Sequence, residues 1–115
     1  MFEYWITADL ETLPIVTQMS GRVFHQDDGA NKIGVRVYRK GKPAELTGTV
    51  TANVIRSNNS TIEVTGELDG NRAWVVLPTE AYAYVGRIGI YLKLTDDTVV
   101  TTLGGVETKV YPSAT

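Results

Sequence analysis

Apolar side chains recur at every second position along this chain, in short runs separated by turn-forming residues. From Ile33 to Tyr38, Ile33, Val35 and Val37 alternate with Gly34, Arg36 and Tyr38. From Arg87 to Thr95, Ile88, Ile90, Leu92 and Leu94 alternate with Arg87, Gly89, Tyr91 and Lys93. Period two places one row of side chains on a core and the other in solvent, so both runs read as strands. Phe2 to Ala8 reads the same way, with Phe2, Tyr4 and Ile6 on one face and Glu3, Trp5 and Thr7 on the other. Thr49 to Arg56 points Val50, Ala52 and Val54 to one side. It forms a hairpin with Thr61 to Thr65 across Ser57-Asn58-Asn59-Ser60. Ala73 to Leu77 is a nearly continuous apolar run, which predicts an internal strand. Thr98 to Leu103 returns after an Asp96-Asp97 turn, and Gly104-Gly105 bends or bulges it. Val106, Thr108 and Val110 continue it until Pro112. Pro14 argues against a helix before Ile15-Val16, an edge strand or extended connection that Ser20-Gly21 interrupts. Val23-Phe24 resumes the apolar character. One helical turn is predicted over Thr79 to Tyr84, with Thr79 as N-cap and Gly86 as its stop. Loops fall at Asp27-Asp28-Gly29-Ala30-Asn31, Lys40-Gly41-Lys42-Pro43 and Asp69-Gly70.

This gives about eight short strands with turn signals roughly every 8–12 residues, the pattern of an all-β, antiparallel β-sandwich. The expected architecture is immunoglobulin-like or jelly-roll-like. Its expected core holds Ile33, Val35, Val37, Trp74, Val76, Ile88, Ile90, Leu92 and Leu94. Residues 1–111 make one domain, and residues 112–115 (Pro112-Ser113-Ala114-Thr115) read as the start of a linker.

Composition narrows the function. At 115 residues the chain suits one modest core. A formal net charge of −2 gives no electrostatic case for nucleic acid or an anionic membrane. No apolar run approaches the length of about 18 residues that a membrane-spanning helix needs. With no cysteine, disulfides, thiolate nucleophiles and cysteine-based zinc sites are excluded.

The candidate chemistry is thin. His25 stands near Asp27 and Asp28, but a metal site needs three or four converging ligands and this is the only histidine. Asp27, Asp28 and Asn31 are oxygen donors around Gly29, yet their spacing is not that of a 12-residue calcium loop. Adjacent carboxylates at Asp27-Asp28 and Asp96-Asp97 point to opposite faces of a strand and make no acid–base pair. No Gly-x-Ser-x-Gly and no glycine-rich phosphate loop occurs. The expectation is therefore a non-enzymatic interaction module without cofactor or metal. Tyr4, Trp5, Trp74, Tyr82, Tyr84 and Tyr91 fit either a sugar-stacking platform or, as favoured here, core and protein interface. The interface is assigned to Phe2, Tyr4, Trp5, Asp27, Asp28, Asn31, Tyr82, Tyr84, Arg87 and Tyr91.

Gln26-Asp27, the alternating strand from Ile33, Gly41-Lys42-Pro43 and Leu46-Thr47-Gly48 follow one another in a set order. Asp69-Gly70, Trp74-Val75-Val76-Leu77-Pro78 and Val85-Gly86-Arg87 come after them. In order and spacing, from about Ile6 to Tyr111, the chain resembles the N-terminal domain of phage baseplate upper proteins from tailed phages of Gram-positive bacteria. His25 departs from that pattern, which has an apolar or small residue there. The resemblance implies a virion structural protein, assembled in the host cytoplasm, that attaches a fibre or receptor-binding assembly to the baseplate or tail. It implies other phage structural proteins as partners, and a homotrimer. Two alternatives stand beside it: a head-fibre base attached to the capsid, and a carbohydrate-binding β-sandwich module.

Overall fold

The computed structural model describes residues 2–12, 14–19 and 23–113. The expected break at Ser20-Gly21, and Ala114 and Thr115 of the expected linker, lie outside these residues. The strands are β1 (Glu3–Asp9), β2 (Val16–Gln18), β3 (Phe24–His25), β4 (Asn31–Arg39), β5 (Lys42–Pro43) and β6 (Thr49–Ile55). They continue as β7 (Thr61–Thr65), β8 (Glu67–Asp69), β9 (Arg72–Leu77), β10 (Gly86–Asp96) and β11 (Val99–Tyr111). A single 3₁₀ turn, Thr79–Tyr82, joins β9 to β10. Pro78 occupies its N-cap position and Ala83 its C-cap, so Thr79 is the first helical residue and the turn ends before Gly86. A proline lacks the side-chain oxygen of a capping residue, and its fixed φ suits the extended residue that leads into the turn.

Two sheets pack face to face, giving the all-β sandwich that the alternation predicts. The first runs β1-β4-β9-β8, with β5 beside β4. The second runs β2-β11-β10-β6-β7, with β3 beside β11. Both sheets are mixed rather than purely antiparallel, because β1 runs parallel to β4, and β2 and β3 run parallel to β11. The chain path is the cause. After β1 the chain crosses to the second sheet, lays β2 and β3 along β11, and returns as β4. A strand that leaves its sheet and comes back by such a crossover re-enters in its original direction. The hairpin turns sit where asparagine, aspartate and glycine predict them, with positive φ at Lys40, Gly41, Asn59, Gly70 and Asp97.

The core lies between the sheets. Ile33, Val35 and Val37 of β4 face Val50, Ala52 and Val54 of β6 and Ile88, Ile90, Leu92 and Leu94 of β10, all buried. Phe24 and Tyr82 close one end, their ring centroids 5.0 Å apart. The expected core is corrected at β9. Ala73, Val75 and Leu77 point inward, whereas Trp74 is half-buried on the outer face and Val76 is 38% exposed there. In an unbroken apolar run both phases look alike, and the phase that sends Arg72 outward also sends Trp74 and Val76 outward.

The glycine pair in β11 forms the expected bulge. Leu92 pairs with Gly104 but Lys93 with Thr102, which leaves Leu103 as the extra residue. Gly104 takes φ +144°, open to glycine and strained for other residues. The inserted residue reverses the parity of the strand, so Leu103 at the bulge and Val106 and Val110 beyond it all face the core.

Candidate interaction surfaces

The outer face of the first sheet is built in cross-strand rows. In one row Trp5 of β1 pairs with Gly34 of β4, and Gly34 with Trp74 of β9. The missing side chain at Gly34 is what admits the Trp5 ring. A Cβ there would collide with Cζ3 of the Trp5 ring. The two indoles meet edge to face, with centroids 6.2 Å apart and planes at 60°. Three cations lie over them: Arg36 at 4.8 Å from the Trp5 ring, and Lys32 at 5.2 Å and Arg72 at 5.9 Å from the Trp74 ring. Cation–π contact favours these placements by about 0.5–1 kcal/mol each at an exposed site. Glu3 accepts a hydrogen bond from the Trp5 indole N–H at 3.0 Å and lies 4.0 Å from Lys32. Arg72 pairs with Asp69 at 3.2 Å.

The outer face of the second sheet centres on Tyr91. Its ring covers Gly89 and Gly105, where added Cβ atoms would come within 2.5 and 2.6 Å of it. Its hydroxyl donates to Glu107 Oε2 at 2.6 Å. Glu107 also accepts from Gln18 Nε2 at 2.9 Å, and its Oε1 lies 3.8 Å from Arg87. The hydrogen bond to the Glu107 carboxylate, with lesser contributions from burial and the carboxylate's charge, raises the Tyr91 pKa above the usual phenol value. Beside this network runs a shallow groove of about 330 Å³ lined by Arg56, Asn59, Arg87 and Gly89 among others.

The Asp27–Asn31 and Tyr82–Val85 loops lie together at one end of the sandwich. Gln26 Nε2 donates to Ala83 O at 2.9 Å across them. Their residues divide in role. Asp28 accepts the His25 backbone N–H at 2.9 Å, closing a local turn, and Asp27 is exposed. Tyr84 is 42% exposed under the Arg56 guanidinium, 5.0 Å from its ring. Asn31 and Tyr82 are corrections to the expected interface, since both are buried. Asn31 Nδ2 donates to the Tyr82 hydroxyl at 2.7 Å and to Gly29 O at 3.3 Å, so this amide is tied into the end of the core. Phe2 and Tyr4 are half-buried against the core, while Trp5 faces out.

Thus Tyr91 and Arg87 share one surface, Asp27 and Tyr84 share a second, and Trp5 belongs to a third with Trp74, Arg36, Lys32 and Arg72. Those last four are absent from the expected interface, although the alternation of β4 already turned Arg36 to solvent. The available signal was charge parity: Arg72 stands two positions before Trp74 in the same strand, and Arg36 stands two after Gly34.

No protein-family model and no curated protein matches the chain. Among solved structures it is similar to the N-terminal domain of ORF48 of phage TP901-1. That likeness has a TM-score of 0.56 and 16% sequence identity, and covers 98% of this chain and 99% of that one. At this identity it is a likeness of fold.

Proposed function

We propose that this chain is a non-enzymatic structural domain of a tailed-phage particle, which attaches a fibre or receptor-binding assembly to the baseplate or tail. The observation that carries the reading is the end-to-end fold likeness, over 98% and 99% of the two chains, to a domain of a phage protein. The sequence resemblance from Gln26-Asp27 through Val85-Gly86-Arg87 points the same way. The only histidine meets Tyr111 edge-on at 6.0 Å, and its backbone is held by Asp28, an arrangement that builds a turn. Among the described residues no cluster of histidine, aspartate and glutamate is placed to hold a metal ion.

A carbohydrate-binding platform is less well supported. Stacking on a sugar needs open, roughly coplanar ring faces. Trp5 and Trp74 stand at 60° with cations over their rings, and Tyr91 lies flat over two glycines. The partners in this reading are other structural proteins of the particle. The oligomer in this reading is a trimer.

The test is labelling of purified particles with an antibody against this chain, read by electron microscopy beside peptide mass spectrometry. Label at the tail tip is the expected result. Label on the capsid would move the assignment to a head-fibre base. Particles that lack the chain, from lysates that contain it, would overturn the virion role.

A further inference from the structure

We infer that the outer face of the first sheet is a docking surface for a protein segment that combines acidic and apolar side chains. The inference stands on this surface and does not rest on the proposed virion role. Charge is sorted across the four strands. The middle strands carry the cations: Lys32 and Arg36 on β4, and Arg72 on β9. The edge strands carry the carboxylates: Glu3 on β1, and Glu67 and Asp69 on β8. Arg36 and Arg72 sit directly opposite one another in the register. Like charges directly opposite one another disfavour the strand pairing. Asp69 answers Arg72 at 3.2 Å, but among the described residues no carboxylate pairs with the exposed Arg36. The Trp5 ring holds its guanidinium in place, 4.8 Å from the centroid, with its hydrogen-bond donors unspent on any acid. A carboxylate arriving between the two arginines would relieve the repulsion and accept from a donor already oriented.

The apolar part of the recognition lies beside it. Trp74 and Val76 form one wall of a notch of about 210 Å³, with Gly66 and Glu67 across from them. Val76 is 38% exposed. Tryptophan and arginine together make up the side chains that dominate interface energetics when a partner excludes water from them. A cationic centre rimmed by carboxylates selects acid over base at that centre and repels acid at the margins, which fixes register as well as sign.

The chain has two tryptophans, and both lie on this face, so their intrinsic fluorescence reports its occupancy directly. The experiment titrates the full chain with a short peptide alternating leucine with aspartate, with its leucine–lysine counterpart, and with a neutral oligosaccharide. The acidic peptide should give a saturable emission shift, and the other two none. The shift should weaken about tenfold in Arg36→Gln, and also at high salt. Arg36 is exposed, so this variant should keep the native circular dichroism spectrum; Arg72→Gln serves the same purpose if it does not. No saturable shift with the acidic peptide would overturn the inference. So would an equal shift with the lysine peptide, or binding of the acidic peptide unchanged in both arginine variants. A shift caused by the oligosaccharide, or by raising the protein concentration alone, would assign the face to sugar or to a second copy and also overturn it.

Discussion

The phase of β9 is open to a direct test, because neighbouring valines in that strand face opposite ways. Val75 is 0% exposed and Val76 is 38% exposed. Replacing each by alanine removes the same two methyl groups, in the same strand, with the same loss of intrinsic strand preference. The difference between the variants therefore reports burial. For Val75 the transfer contribution is about 0.8 kcal/mol per buried carbon, or about 1.6 kcal/mol. A vacated volume of about 50 Å³ adds about 1 kcal/mol where the surroundings do not collapse. Val75→Ala should therefore cost about 2–3 kcal/mol, and Val76→Ala under about 1 kcal/mol. For a chain of this length, 1 kcal/mol corresponds to about 4 °C, so the melting temperatures should fall by about 8–12 °C and under about 4 °C. Urea unfolding followed by far-ultraviolet circular dichroism gives the same quantity independently, with an unchanged slope if the unfolded states are alike. Equal losses, or a larger loss at Val76, would mean that Trp74 and Val76 face the core after all.

Ile90→Ala, at a fully buried position of β10 between β6 and β11, should cost about 2–5 kcal/mol in the same urea assay. Tyr91 holds its proton more tightly folded than unfolded, because the Glu107 bond raises its pKa. That stabilisation is complete below the unfolded phenol value near 10 and is lost as pH rises through the folded value. Alkaline melts should fall more steeply for the native chain than for Tyr91→Phe. Asp9 has the opposite sign: backbone N–H groups of Glu11, Gly41 and Lys40 donate to its carboxylate and lower its pKa. Its contribution is present above the unfolded value near 3.9 and is lost as pH falls through the folded one, so Asp9→Asn should flatten the acid side of the stability curve. For the proposed trimer, mass measurement of the assembly released from purified particles should give three copies of this chain, and a single copy would remove it.

Strands were legible wherever charge or glycine marked the outward parity, as in β4 and β10. The turns were legible because Asn59, Gly70 and Asp97 are residue types that accept positive φ. What failed has a common physical origin. Alternation reports which residues share a face only when the two rows differ in polarity, and Ala73 to Leu77 offers no polar row. The parallel pairing of β1 with β4 was illegible for another reason: it depends on a crossover through β2 and β3, and strand period carries no direction. Buried polar residues were the third gap. Asn31 reads as a loop donor and Tyr82 as a surface aromatic, yet each supplies the other's hydrogen-bond partner at the end of the core. A pairing 51 residues apart leaves no local mark.

The two outer faces use the same device, an aromatic ring laid over a glycine in the neighbouring strand, but leave different chemistry exposed. Tyr91 has its hydroxyl bonded to Glu107, and that carboxylate is shared with Gln18 and faces Arg87. A partner meeting this face would have to displace bonds already made, and each buried group left unsatisfied costs about 1–3 kcal/mol. On the first sheet the rings hold cations instead, and a cation over a ring keeps most of its hydrogen-bonding capacity. Arg36 therefore stands oriented but uncommitted, next to a like charge, near a notch with one apolar wall of Trp74 and Val76. Between two exposed sheets of similar composition, unspent bonding capacity is what separates a covered surface from one built to be covered by something else. By that measure the Trp5–Trp74 face, not the Tyr91 face, is where a partner gains most on contact.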